Sequence, residues 1–168
     1  GVWEGGQFRL RPEGRWPFCR VVAPGNADVP ADPSTSLNVA AENQVELLSY
    51  SLDGTALRPG DTAHLSLSMR ALITPTDYVM PFVLVGDRQY RWTTDSRSLS
   101  PTWQRGEVIV ERYDVTIPFG TPPGEFPLRL GVTDPSQGRD LTLPSGGATL
   151  ALGSLTVEPA IGIAPLPS

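Results

Sequence analysis

Residues 62–71 read Thr-Ala-His-Leu-Ser-Leu-Ser-Met-Arg-Ala. Ala63, Leu65, Leu67, Met69 and Ala71 share one parity, and His64, Ser66, Ser68 and Arg70 share the other. In an extended chain successive side chains point to opposite faces, so this spacing describes a half-buried antiparallel strand. The alternation returns further on, with Phe126, Leu128, Leu130 and Val132 set against Pro127, Arg129, Gly131 and Thr133. Turn formers stand between such runs: Asp53-Gly54, Arg58-Pro59-Gly60-Asp61, Thr74-Pro75-Thr76-Asp77, Gly86-Asp87 and the Gly/Pro cluster from Pro118 to Gly124. The 17 Gly and 18 Pro among 168 residues supply this punctuation and weaken any helix. Further strands are expected at Val45–Leu52, Gln89–Thr93, Glu107–Ile117 and Ala148–Val157, the last bulged at Gly153 and preceded by a short run, Leu141–Leu143. Tyr78–Val85 is apolar on both parities and belongs inside a sheet. Seven or more short strands need two packed sheets, because a single sheet leaves one apolar face wet. The expected fold is all-β, an Ig-like antiparallel β-sandwich, with a closed barrel as the alternative.

Residues 1–43 form a poorly patterned N-terminal extension. It is strand-like at 7–11 and 15–22, and rich in Pro, Asp, Ser and Gly from 23 to 36. This extension is expected to pack on the domain or on a partner. The sandwich domain is expected over 44–158, followed by a Pro-rich tail at 159–168. Residue 1 is Gly, which reads as a processed product or an excised segment of a longer chain.

Several chemistries lack their residues. There is one Cys, which excludes an internal disulfide framework and a thiolate zinc site, and one His, which excludes a His-rich metal centre. All 13 basic residues are Arg, so neither a Schiff-base lysine nor a P-loop lysine exists, and no cofactor is expected. The net charge of −5 and the absence of a basic block argue against nucleic acid and against anionic lipid as partners. No run approaches the roughly 20 apolar residues of a membrane span. Cys19 reads as a small apolar residue rather than a lipidated one.

Three stretches resemble a known family: Leu57-Arg58-Pro59-Gly60-Asp61-Thr62, then Trp103-Gln104-Arg105-Gly106-Glu107-Val108, then Pro122-Pro123-Gly124-Glu125-Phe126 through Val132 with Asp134-Pro135. They are similar to the extracytoplasmic β-sandwich segments of bacterial membrane proteins related to protein-mannosyltransferase-type glycosyltransferases. The resemblance spans roughly residues 44–158 and falls on turn and core positions. It implies a sandwich outside the cytoplasm, at the cell surface or envelope. The implied partner is another protein or the membrane-embedded part of a longer chain. It carries no catalytic residue, since the catalytic machinery of that family sits in its membrane part.

His64, the sole imidazole, lies on the polar face of its strand beside Ser66 and Ser68, with no nucleophile-elbow sequence; a solvated strand histidine is expected. Glu107 and Glu111 stand about 13 Å apart along an extended strand and read as surface acids rather than a glycosidase pair. Asp134 and Asp140, with Asp53, are the candidate calcium ligands, although no EF-hand spacing occurs. Tyr90 and Trp92 fall at i and i+2 of a strand, with Gln89 and Asp95 nearby. Exposed, they would form a stacking platform for a sugar; buried, they cap the core together with Trp103. The sequence therefore points to a non-catalytic interaction or accessory module, or a structural subunit, of a bacterial cell-envelope protein. A carbohydrate-binding sandwich using Tyr90 and Trp92 is the alternative.

Overall fold

The computed structural model describes residues 2–4, 7–9, 19–22, 34–87, 90–93 and 100–160, with side chains for 34–87, 100 and 102–160. The strands in chain order are β1 (Val2–Glu4), β2 (Gln7–Arg9), β3 (Cys19–Val22), β4 (Thr35–Ala41), β5 (Val45–Leu52), β6 (Ala56–Leu57) and β7 (Thr62–Ala71). They continue with β8 (Met80–Val85), β9 (Tyr90–Thr93), β10 (Val108–Thr116), β11 (Gly124–Asp134), β12 (Arg139–Asp140) and β13 (Thr149–Val157). A single 3-10 turn at Ser100–Thr102 is the only helical element among the described residues. β1 and β2 form a small separate ribbon. One main sheet has the order β3-β10-β7-β5-β4, and the other has β6-β13-β11-β8-β9 with β12 at the end of β11. Every pairing is antiparallel except the two-residue β13–β6 contact. The protein is a β-sandwich.

The core lies between the sheets, and the alternating residues fill it as their spacing requires. Ala63, Leu65, Leu67, Met69 and Ala71 of β7 face Leu128, Leu130 and Val132 of β11 and Val83 and Val85 of β8, all buried. Phe82 and Leu84 of β8, at the opposite parity, are buried as well, so this strand is enclosed on both faces as its sequence predicts. Phe82 lies across its cross-strand partner Gly131; a Cβ there would collide with the ring and with the Ala148 carbonyl, which reserves the position for glycine.

Three features depart from the expected organisation. β4 lies within the segment read as an unpatterned extension, yet it pairs along β5 as an edge strand of the sandwich. The β4–β5 turn places Glu42 and Asn43 at φ 44° and 56°, with the Gln44 amide donating to the Ala41 carbonyl. The register pairs Ala41 with Val45, so the loop has three residues, Glu42 to Gln44, and its two left-handed positions are filled without glycine. Leu141–Leu143 is not a strand; both leucines are buried in the core from an irregular link, and β12 sits just before them.

Three slips interrupt the ladders of the described strands, one of them in β4 between Ser36 and Val39. In β13 the ladder slips opposite Leu128/Arg129, leaving Leu152 unpaired beside Gly153, whose φ is 124°. This is the bulge expected at Gly153. In β5 the third slip leaves Leu48 unpaired, so Leu47 and Tyr50 both sit opposite inward-facing β7 residues. The Tyr50 hydroxyl crosses the sandwich and donates to the Leu152 carbonyl at 2.6 Å, joining β5 to β13.

Candidate functional site

The polar residues that could carry chemistry are bonded to one another or to backbone. His64 on β7 sits opposite Asp114 on β10, and its Nδ1 lies 2.8 Å from the Asp114 Oδ1 on an exposed sheet face. The His64 amide donates to Asp53 Oδ1 at 2.7 Å. The Asp114 carboxylate, and then the charge of Asp53, hold the imidazole above its ordinary pKa of 6.5. The histidine is solvated, as expected, and with the Thr62–Thr116 hydroxyl pair it ties β7 to β10.

Asp134 is a turn residue. Its Oδ1 accepts from the Ser136 hydroxyl and from the Gln137 amide at 3.1 Å, closing the β11–β12 hairpin. The Ser136 hydrogen bond, first among the causes, holds its pKa below the usual value. Asp140 pairs in register with Thr133 on the neighbouring strand. Asp53, Asp134 and Asp140 are not brought together, and among the described residues no group of three or more His, Cys, Asp or Glu is placed to hold a metal ion.

Of the proposed sugar platform, Gln89 and Asp95 lie outside the described residues. Tyr90 and Trp92 are placed by backbone register alone, opposite Val85 and Val83 on β8, two residues of the core. Trp103 is 1% exposed and belongs to the core, the capping position considered for it.

One expectation fails. Glu111 is not a surface acid. It follows Ile109 and precedes Tyr113 and Val115 on the inward parity of β10, and it is 2% exposed. The Tyr113 hydroxyl donates to its Oε2 at 3.1 Å. Burial first, then the Glu111 charge and hydrogen bond, push the phenol well above its ordinary pKa, so it remains a donor. Glu107, in contrast, is a turn cap: its Oε2 accepts the Gln104 amide at 2.8 Å, while its own amide donates to the Gln104 carbonyl.

At the end of the sandwich where β5, β10 and β13 begin, side chains tie the loops. Glu42 takes Arg139 in a two-pronged pair at 2.6 and 2.9 Å and accepts the Thr142 amide at 2.9 Å. These contacts, the Arg139 hydrogen bond first, lower the Glu42 pKa to about 2. Ser100 accepts the Val79 amide and donates to the Asp77 carbonyl. Two side chains of the 72–79 link, Ile73 and Tyr78, are partly solvated at 42% and 43% exposure.

The opposite end leaves one large apolar group in solvent. Phe119, in the turn between β10 and β11, is 89% exposed. The turn beneath it is closed by hydrogen bonds: the Thr121 amide and hydroxyl both donate to the Pro118 carbonyl, at 3.2 and 2.8 Å. One edge of the ring rests against Gly60, at φ 96° in the 58–61 turn, and a Cβ at that glycine would come within 2.7 Å of Cε1. That second turn is held by Asp61, which accepts the Arg58 amide at 2.8 Å, and by the Gly60 amide donating to the Ile117 carbonyl at 2.7 Å. Sequence reasoning missed Phe119 because a lone aromatic in a Pro/Gly turn carries no periodicity to place it.

Comparison with known proteins adds to the fold alone. No family model matches the chain, and no curated protein matches it in sequence. Among solved structures, the C-terminal domain of wzt is similar, with a TM-score of 0.51 and 13% identity over 78% of this chain and 80% of that one. A Niemann-Pick type C2 protein from Japanese carpenter ant gives 0.48 and 6% identity, over 74% of this chain and 99% of that one. Spo0M, a sporulation control protein from Bacillus subtilis, gives 0.37 and 18%, over 68% of this chain and 49% of that one. What the wzt domain shares with this chain is the sandwich. A fold of this kind hosts many functions, so activity must be argued from the site.

Proposed function

We propose that this chain is a non-catalytic interaction module, acting outside the cytoplasm as part of a bacterial cell-envelope protein or assembly. The observation that carries the reading is Phe119, a large apolar side chain 89% exposed on a turn fixed by hydrogen bonds. Rigid exposed aromatics lose little entropy on binding and serve as anchors at protein interfaces. The resemblance of the 57–62, 103–108 and 122–135 stretches to envelope-protein segments supports the location. Those motif residues act here as turn closures and core, with Gly60 and Asp61, Gly106 and Glu107 shaping two turns. They account for a shared scaffold and leave the binding surface to residues outside the motifs.

The test is site-specific photocrosslinking of the native protein in its source cells, followed by mass spectrometry of membrane-derived adducts. A benzophenone amino acid at position 119 is expected to give one discrete adduct with an envelope protein. The same probe at the exposed Arg112, on the outer face of the five-stranded sheet, is expected to give none. Equal labelling at both positions, or adducts with cytoplasmic proteins only, would overturn the reading.

A further inference from the structure

The two open sides of the sandwich differ in charge. On one side the edge strands are β3 and β9, and each contains an arginine, Arg20 and Arg91. On the other side the edges are β4 and the two-residue β6, beyond which most of β13 is uncovered. β4 and β13 lie together because Tyr50 of β5, next to β4, bonds across to Leu152 of β13. Neither strand has a charged residue, and none occurs anywhere from Leu141 to Val157.

β13 is paired along its length by β11, whereas on its outer side β6 covers only Thr156 and Val157. Among the described residues nothing pairs with the outer edge from Thr149 to Ser154, a window about 20 Å long at the usual rise per residue. Above and below that edge, Leu37 and Val39 of β4 and Leu150 and Leu152 of β13 are only half-buried against the core. An unpaired strand edge is a template for another strand, and proteins ordinarily blunt it with charge, proline or irregularity. β4 is blunted in this way: its ladder breaks between Ser36 and Val39, with Asn38 at φ 52°. β13 is blunted only by its single-residue bulge, whose freed carbonyl is already taken by Tyr50.

We infer that two copies of this chain associate edge to edge through β13, antiparallel about a two-fold axis at Ala151 that sets Leu150 of each copy opposite Leu152 of the other, fusing two sheets into one. The occupant is a second copy because of charge. Two chains of net charge −5 repel wherever their acids meet, and strands β4 and β13 carry none. Charged groups at the two ends of this side, Glu42 with Arg139 and Arg58 with Glu158, are held in ion pairs. Antiparallel strand pairing is also self-complementary under a two-fold axis, as a closed dimer requires. The half-buried leucines of the two copies would then cover one another.

The inference stands apart from the reading of Phe119 and is tested on the full chain by sedimentation across concentrations from about 1 μM to 500 μM. A species of twice 18.1 kDa is expected to dominate the upper range. Ala151 is exposed, so Ala151→Lys keeps the fold while placing like charges across the axis, and the dissociation constant should rise about 100-fold. Phe119→Ala should leave it unchanged. Hydrogen exchange on the unaltered chain provides a second readout: amides of 149–154 should gain at least tenfold protection as concentration rises. A monomer throughout, a dimer indifferent to Ala151→Lys, or protection of 149–154 that ignores concentration would each overturn the inference.

Discussion

At the end where β5, β10 and β13 begin, loops distant in sequence are clasped by side chains: Glu42 with Arg139 and Thr142, and Ser100 with Val79 and Asp77. At the other end the 58–61 and 118–121 turns are each closed by a local hydrogen bond, Gly60 donates to the Ile117 carbonyl and Arg58 pairs with Glu158, yet Phe119 is left in water. Each end has a large aromatic, Trp103 at 1% exposure and Phe119 at 89%. The contrast separates two uses of the same kind of residue. Trp103 contributes by filling space that nothing else fills. Phe119 contributes nothing comparable to the fold, so its retention in solvent points outward.

The largest expected difference lies between those two aromatics. Trp103→Ala should cost about 3–5 kcal/mol, the usual penalty for emptying a buried aromatic site, read as the shift in the denaturant midpoint at constant slope. Gly60→Ala should cost about 1–2 kcal/mol, since alanine there combines a left-handed backbone with a collision against the Phe119 ring. Its thermal midpoint should recover in part in the Gly60→Ala, Phe119→Ala double variant, which removes the ring. If no recovery occurs, the ring does not rest on Gly60.

The clasped end should respond to pH. The Glu42 carboxyl is lowered from 4.5 to about 2 in the folded state, so its contribution is fully present above pH 4.5 and lost as pH falls toward 2. Glu42→Gln should remove that part of the acid slope and lower stability at pH 7 by about 1 kcal/mol, the upper range for a partly solvated ion pair. His64 works in the opposite sense. Its raised pKa stabilises the fold below pH 6.5 and the effect fades as pH rises through the folded value, a slope that Asp114→Asn should flatten. The smallest effect belongs to Phe119→Ala, within about 0.5 kcal/mol by chemical denaturation. A cost of several kcal/mol would make Phe119 a structural residue and remove the contrast between the ends.

Much of the sandwich was legible because β7 and β11 alternate cleanly and their turns contain Gly and Pro at the points where the chain reverses. The bulge at Gly153 was legible for a related reason, as a glycine interrupting an apolar alternation. The bulge in β5 was not, because Leu47 and Leu48 are both apolar and either can be counted inward. Glu111 shares the parity of Ile109, Tyr113 and Val115, so its burial was written in the pattern, but a carboxylate is read as a surface group unless the parity is given precedence. Glu42 and Arg139 are 97 residues apart, and nothing local in either stretch announces the partner. The exposed Phe119 was hidden for the converse reason: burial is the default for an aromatic, and only the folded turn shows the exception.

The alternation of a strand behaves like a reading frame, and a bulge is a frameshift within it. In β5 the inward residues are Val45 and Leu47, then Tyr50 and Leu52, with the odd-to-even change absorbed at Leu48. Removing Leu48 would leave every other residue of the strand in its present orientation, with Tyr50 still aimed at the opposite sheet. Removing a residue from the unbroken frame of β7, such as Ser66, would turn one half of that strand inside out. A one-residue deletion is thus almost silent at one position and ruinous about 18 positions later, although both lie in adjacent strands of the same sheet.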